Sequence, residues 1–195
     1  MIYKKGKGAL VTPMSTKMLR EYADIFRRSL KPKTDKFPVL LFLEIILPQL
    51  FENYSFHPMS KDVMGENHGL TYPGKGKILI RDDVYEGAIQ DNGRDRFTIM
   101  HEIAHLLLHS NIPASYARTT SEGHPCYMDA EWQADSLAAE MLMPADIVLD
   151  CSSAQELSLR CGVSNQAAET RMRKIQKEFC KNKGFALTNP LKYKN

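Results

Sequence analysis

The chain is short of several features that would settle its class at once. Its four cysteines, Cys126, Cys151, Cys161 and Cys180, are widely spread and form no CxxC pair. That excludes a zinc ribbon or a dense disulfide framework and leads us to expect reduced thiols in a cytoplasmic protein. The N-terminal "MIYKKGKGALVTPMSTKML" has lysines without a continuous apolar stretch, which argues against export. The most apolar segment, "FPVLLFLEIILPQLF" from Phe37 to Phe51, is too short to span a bilayer and carries Glu44 with a proline near each end, so a buried helix is expected and no membrane partner. Net charge is only +3, too mild to imply nucleic acid by itself. There is no internal repeat and no low-complexity tract.

The 195 residues, 43% hydrophobic and 25% charged, suit one moderate domain or a catalytic domain with a small appendage. From Met14 to Leu30, apolar Leu19, Tyr22, Ala23, Phe26 and Leu30 recur at helical spacing. A second helix is expected after Pro38, which suits a first-turn position. "GLTYPGKGKILIR" offers two extended runs around a Pro-Gly-Lys-Gly turn, a hairpin signal. "DNGRDRFTIMHEIAHLLLHS" then opens as a loop and becomes helical for about four turns, with Asn111 and Pro113 ending it. After an irregular loop to Met128, Asp129 can cap "AEWQADSLAAEMLM", and Pro144 stops that helix. Short helices follow over Pro144 to Asp150, Ala154 to Arg160 and Ser164 to Phe179. Ser153 with Glu156 reads as a capping box, and Ser164 as the next cap. The residues divide into a domain over 1–143, a helical segment over 144–180 and a flexible basic tail over 181–195.

The chemistry concentrates in "IMHEIAHLLL". His101 and His105 are four residues apart, so on a helix they leave from one face and can share a metal. Glu102, beside the first, can take a proton from a water that the metal has activated. A plain amphipathic helix would instead bury three polar groups in an apolar run, each costing roughly 1–3 kcal/mol if unpaired. A metal removes that cost.

A hydrolytic zinc site needs a third protein ligand and one open position. His109 cannot join both histidines, because it lies about 12 Å from His101 along the helix axis. Glu131, opening "EWQAD", is the better candidate. Asp135, one turn further on the same face, can accept the free ring N–H of a ligand histidine. Glu140 is the fallback, with Glu122, Asp129 and Cys126 weaker.

"HEIAHLLLH" followed by "EWQADSLAAEMLMP" resembles the ImmA/IrrE family of bacterial zinc metallopeptidases, in which an HExxH precedes a glutamate-led helix ending in Leu-Met-Pro. The resemblance covers about Asp91 to Pro144. It implies that His101, His105 and Glu131 bind one Zn2+ per chain, that Glu102 is the general base and acid, and that Asp135 supports a ligand from behind. Leu137 stands where the family usually has an aromatic, a departure that touches packing and leaves the chemistry intact. The family also implies a protein substrate, commonly a repressor or regulator, often on mobile elements or in stress responses.

The expected fold is α+β, a gluzincin-like zinc peptidase core with a small sheet packed on the HExxH helix, followed by a helix-turn-helix-like segment. Oxyanion or substrate contacts are sought in His109, His124, Tyr127 and Tyr116. "AQELSLRCGVSNQAAETRMRKIQKEF" has the rhythm of a helix-turn-helix, and Asn165, Gln166, Thr170, Arg171, Arg173 and Lys174 could reach DNA or a protein partner. The modest charge favours helices packed on the core over DNA contact. The competing functions are a helix-turn-helix regulator with a structural or sensing zinc, marked by a fourth ligand such as Cys126 or His124, and the effector of a toxin–antidote pair.

Overall fold

A computed structural model describes residues 8–111 and 124–182. Most of the loop after Asn111, including Tyr116 and Glu122, and nearly all of the basic tail lie outside the described residues.

Helix α1 (Thr16–Leu30) starts where Ser15 accepts a hydrogen bond from the Met18 N–H, and it buries Leu19 and Ala23. The apolar segment after Pro38 is helical but irregular. It runs as α2 (Val39–Leu41), a π turn (Phe42–Ile46) and α3 (Leu47–Leu50). Pro48 has no N–H to return to the preceding turn, and the chain widens just before it. The expectation of a buried helix is half right. Val39, Phe42, Leu43 and Leu47 are buried, while Leu41, Ile45 and Leu50 face outward. The segment is an amphipathic cover for the core.

Three short strands follow. β2 (Gly69–Tyr72) and β3 (Lys77–Arg81) form the expected hairpin, antiparallel with Leu70 opposite Leu79. Its turn closes on Gly76, whose φ of 63° suits a residue without Cβ. β1 (Ser55–Met59) is an addition: it pairs parallel to β3, giving the order β1-β3-β2. Pro58 and the absence of alternation hide this strand in the sequence. α4 (Lys61–Met64) connects β1 to β2, and α5 (Asp82–Ile89) follows β3. The stretch around Asp82–Ile89 carried no helical expectation.

α6 (Gly93–His109) is the central element. Asn92 caps it, accepting from the Arg94 and Asp95 N–H groups at 3.0 and 3.3 Å. Ile99, Met100, Ile103, Ala104 and Leu106 are buried on its inner side. It packs along α7 (Ala130–Leu142) and beneath β2. Asp129 caps α7 through a 2.8 Å bond from the Trp132 N–H. Helices and a three-stranded mixed sheet therefore make an α+β fold.

α8 (Ala145–Asp150), α9 (Ala154–Cys161) and α10 (Asn165–Asn182) complete the described chain. Ser153 caps α9 as expected, but the reciprocal bond goes elsewhere, since Glu156 accepts from the backbone and side chain of Ser152. Gly162, at φ 63°, makes the turn into α10, and Ser164 caps that helix by accepting from the Ala167 N–H. Arg96 ties this turn to α6, donating to the carbonyls of Gly162 and Phe37 at 2.8 and 2.7 Å. No helix among the described residues is long and apolar enough to cross a membrane.

Candidate metal centre

His101 and His105 leave α6 from one face, and the first turns of α7 meet that face. His101 Nδ1 donates to Asp135 Oδ1 at 2.8 Å, and Asp135, as a carboxylate, can only accept. A proton is thus on Nδ1, and Nε2 points inward, the atom that a metal ion would take in place of a proton. That Nε2 lies 3.0 Å from His105 Nε2 and 3.3 Å from Glu131 Oε2, while His105 Nε2 lies 3.4 Å from Glu131 Oε1. Ring nitrogens of two histidines and the oxygens of one carboxylate thus converge, with these atoms within 4.8 Å of one another.

Such a cluster attracts positive charge. Burial works against a charge on His101, but its bonds to Asp135 and Glu131 prevail and push it up to about 10. The two histidines hold the Glu131 carboxyl well below the usual carboxylate range. A divalent ion could take the same atoms in place of that proton. Two nitrogens bound to zinc at roughly 2.0–2.1 Å in tetrahedral geometry stand about 3.3 Å apart, close to the separations found. Two neutral imidazoles and one carboxylate are also a donor set suited to zinc. The residues fit the ion.

Glu102 lies beside this cluster and is only 8% exposed. Thr71 Oγ1 is 2.7 Å from its Oε2, and also 3.0 Å from its backbone oxygen, so one hydroxyl proton steadies the carboxylate from β2. β2 passes so close that a Cβ on Gly69 would stand 2.5 Å from Glu102 Cγ. Facing β2 across a cleft of about 630 Å³ is the N-terminal stretch Ala9, Leu10 and Val11. It is held by an antiparallel bridge between Leu10 and Asp129, and by the Gly8 N–H donating to Asp129 Oδ2 at 2.6 Å. His101, Glu102, His105 and Glu131 line the same cleft.

Other sequence candidates fall elsewhere. Glu140, the fallback ligand, is buried at the far end of α7. Arg171 Nη1 donates to it at 3.0 Å and Arg20 Nε at 3.2 Å, so its carboxylate is already committed. Arg171, expected to reach DNA or a partner, is accordingly 2% exposed and also donates to the Met143 carbonyl. It cannot serve a surface contact. Asp129 is a buried cap, and Cys126 lines a separate groove with Tyr127 and Trp132. Among the described residues no fourth histidine, cysteine or carboxylate joins the cluster.

His124 and Tyr127 are not among the described residues that line the cleft, and His124 Nε2 sits 3.3 Å from Asp129 Oδ2. His109 borders it, but its ring faces His105 and Gln133, at 3.2 Å each. Burial first of all lowers its pKa to about 4, against the opposing bond to Gln133. Asn165 and Arg173 are exposed on α10 and bond Glu169. Gln166, Thr170 and Lys174 line a groove against Trp132 and Asp135, with Lys174 Nζ over the Trp132 ring.

Sequence reasoning missed Thr71, Gly69, Gln133 and the Ala9–Val11 stretch. The first two sit on a strand that was legible as half of a hairpin, but nothing local told which helix it would cover. Gln133 lay inside "EWQAD", between the two carboxylates that drew attention.

Comparison with individually curated proteins returned no match. Comparison with protein families did: the peptidase family described as IrrE N-terminal-like domain matches residues 57–173, from β1 into α10, and so includes both helices of the cluster and the strand over Glu102. The match extends over well more than half of the chain, and the protein belongs to the ImmA/IrrE family of peptidases.

Proposed function

We propose that the protein is a zinc-dependent endopeptidase with one Zn2+ per chain, held by His101, His105 and Glu131, and with Glu102 as general base and acid. The observation that carries this reading is the meeting of two imidazoles, one of them oriented by Asp135, and a carboxylate next to a buried, hydrogen-bonded glutamate. Bound there, zinc would polarise the scissile carbonyl and bring the pKa of water down to about 7. Asp135 orients His101 and strengthens it as a donor. Thr71 keeps the Glu102 carboxylate turned into the cleft, where it takes a proton from the attacking water and passes it to the leaving amine. β2 is the edge of its sheet, and an edge beside the cleft suits a peptide bound in extended form.

The arrangement supports a gluzincin-like reading, with the third ligand on a helix downstream of HExxH. It also supports a catalytic unit over 1–143 and a helical unit over 144–180, joined through Glu140 and Arg171. Among the described residues three ligands converge, a number that leaves one coordination position open and favours the enzyme over a regulator with a closed structural zinc. With Arg171 turned inward, the C-terminal helices are better suited to docking a protein substrate than to DNA. By family, that substrate is a repressor or regulator in the cytoplasm.

The test compares new protein N-termini in host cells making the wild type with those in cells making Glu102→Gln at matched levels. A few termini unique to the wild type are expected, and they would name the substrate. Identical sets, with both proteins folded and zinc-loaded, would overturn the reading.

A further inference from the structure

Among the described residues, His105 has no carboxylate behind it of the kind that Asp135 provides for His101. Its Nδ1 instead faces His109 Nδ1 at 3.2 Å, and His109 Nε2 faces Gln133 Oε1 at 3.2 Å. Gln133 is 1% exposed, and its Nε2 donates to the carbonyls of Thr12 and Tyr127, both at 2.8 Å. Followed inward from those carbonyls, each bond leaves one choice for the next. Carbonyl oxygens only accept, so the Gln133 amide nitrogen must face them and Oε1 must face His109. Oε1 also only accepts, so His109 carries its proton on Nε2 and offers a lone pair at Nδ1. His105 must then donate from Nδ1, and its Nε2 is left bare toward His101 and Glu131.

We infer that Gln133 and His109 are positioning residues that fix the tautomer of His105 as a metal ligand, with the N-terminal stretch built into the device through the Thr12 carbonyl. The inference rests on the metal-centre reading and deepens it. The two ligand histidines are thereby oriented by different chemistry: an exposed anion for His101, a buried neutral relay for His105. The neutral relay orients without adding negative charge, and so leaves the ion a stronger Lewis acid than a second carboxylate would. His109 shares a helix face with the ligands yet is kept from competing for the ion, because its one lone pair is committed to His105.

Three measurements test this. Long-range proton–nitrogen spectra of the histidine rings in the unaltered zinc-loaded protein should place a proton on His105 Nδ1 and on His109 Nε2. The reverse assignment at His109 overturns the relay. His109→Phe keeps ring volume and removes the acceptor. In competition with a chromophoric chelator its zinc affinity should fall about 10–100-fold, the range found when outer partners of ligands are lost. His109→Gln, which restores an oxygen acceptor, should recover part of that loss. Thermal unfolding of the metal-free variants shows whether the fold is intact, and if His109→Phe does not fold, the ring spectra of the unaltered protein decide. Unchanged zinc affinity in folded His109→Phe overturns the relay. His101→Ala in the same titration separates the two readings: loss there with none in His109→Phe sinks the relay alone, and loss in neither sinks the metal centre as well.

Discussion

Helix α7 carries two carboxylate clusters of opposite kind. At its start Glu131 and Asp135, with side chains 58% and 64% exposed, meet the imidazoles of α6. Toward its end Glu140, 1% exposed, meets the guanidinium groups of Arg171 and Arg20. The second cluster is electrostatically complete: the guanidiniums remain charged, donate to both oxygens, and continue to Glu178 at 2.9 Å and to the Met143 carbonyl. The first cluster has no such permanent cation, since its imidazoles can give up a proton. The closed cluster fastens α1 and α10 to α7, whereas the open one has the ligand set that could hold a metal ion. Whether a carboxylate on α7 serves structure or chemistry is decided by its partner, a base that can give up its proton or one that cannot.

The largest predicted effect separates chemistry from metal binding within the open cluster. Glu102→Gln keeps the side-chain shape and the Thr71 contact but removes the base, so hydrolysis should fall on the order of 10²–10⁴-fold while zinc content stays at the wild-type level. Peptide cleavage assays with parallel metal analysis check it. Wild-type turnover in this variant would mean that the proton acceptor lies elsewhere.

The next prediction breaks the comparison directly. Glu140→Ala leaves Arg171 buried without its counter-charge, and thermal or denaturant unfolding should show a loss of about 3–5 kcal/mol, with zinc affinity per folded molecule unchanged. Glu131→Ala should do the reverse, with little effect on metal-free stability and a loss of zinc affinity exceeding the roughly 10–100-fold expected for outer partners. If Glu140→Ala empties the metal site of a folded protein, the two clusters are not separate.

A smaller effect is expected at Gly69. A methyl group there meets Glu102 Cγ and Oε1 at 2.5 and 2.8 Å, so Gly69→Ala must displace β2 or the carboxylate. Activity should drop by about tenfold or more, since a misplacement near 1 Å can cost on the order of 10²-fold, with zinc binding retained. Steady-state kinetics with the cleaved substrate would show the loss in kcat rather than KM.

These contrasts also mark what the sequence could and could not convey. Helical spacing and local caps made α1, α6, α7 and α10 legible, including Asp129 and Ser164 as caps, because such signals lie within a few residues of one another. His101, His105, Glu131 and Asp135 were legible for the same reason, as pairs one turn apart whose side chains share a face. β1 was not, because its pairing with β3 depends on residues more than twenty positions away and Pro58 disguises the run. The division of labour between Glu131 and Glu140 depends on Arg171 and Arg20, remote in the chain, so α7 alone offers two equally acidic candidates. The relay through Gln133 is fixed by the carbonyl of Thr12, 121 positions away. Local patterns told which faces carry chemistry, and long-range partners told which of those residues remain free to perform it.

The smallest effect lies at the rim of the closed cluster and turns on pH. Arg20 holds the Glu178 carboxyl below its ordinary range, outweighing the opposing effect of burial. A carboxyl whose pKa is depressed on folding contributes stability that is fully present above its unfolded value, near 4.5, and lost as pH falls through its folded value. Unfolding between pH 7 and 3 should therefore show wild-type stability declining through the acid range more steeply than that of Glu178→Gln, with the two curves parallel above about pH 5. Because Glu178 is a third exposed, solvent screens the pair and the difference should be modest. The open cluster sharpens the contrast: in the zinc-loaded protein, acid should release the metal as protons compete for His101 and His105. Metal loss and the shallow stability decline should then be separable, the first abolished by Glu131→Ala and the second by Glu178→Gln. If Glu178→Gln instead shifted the pH of zinc release, the charge on α10 would be reaching the metal centre through α7, and the two ends of that helix would form one electrostatic unit.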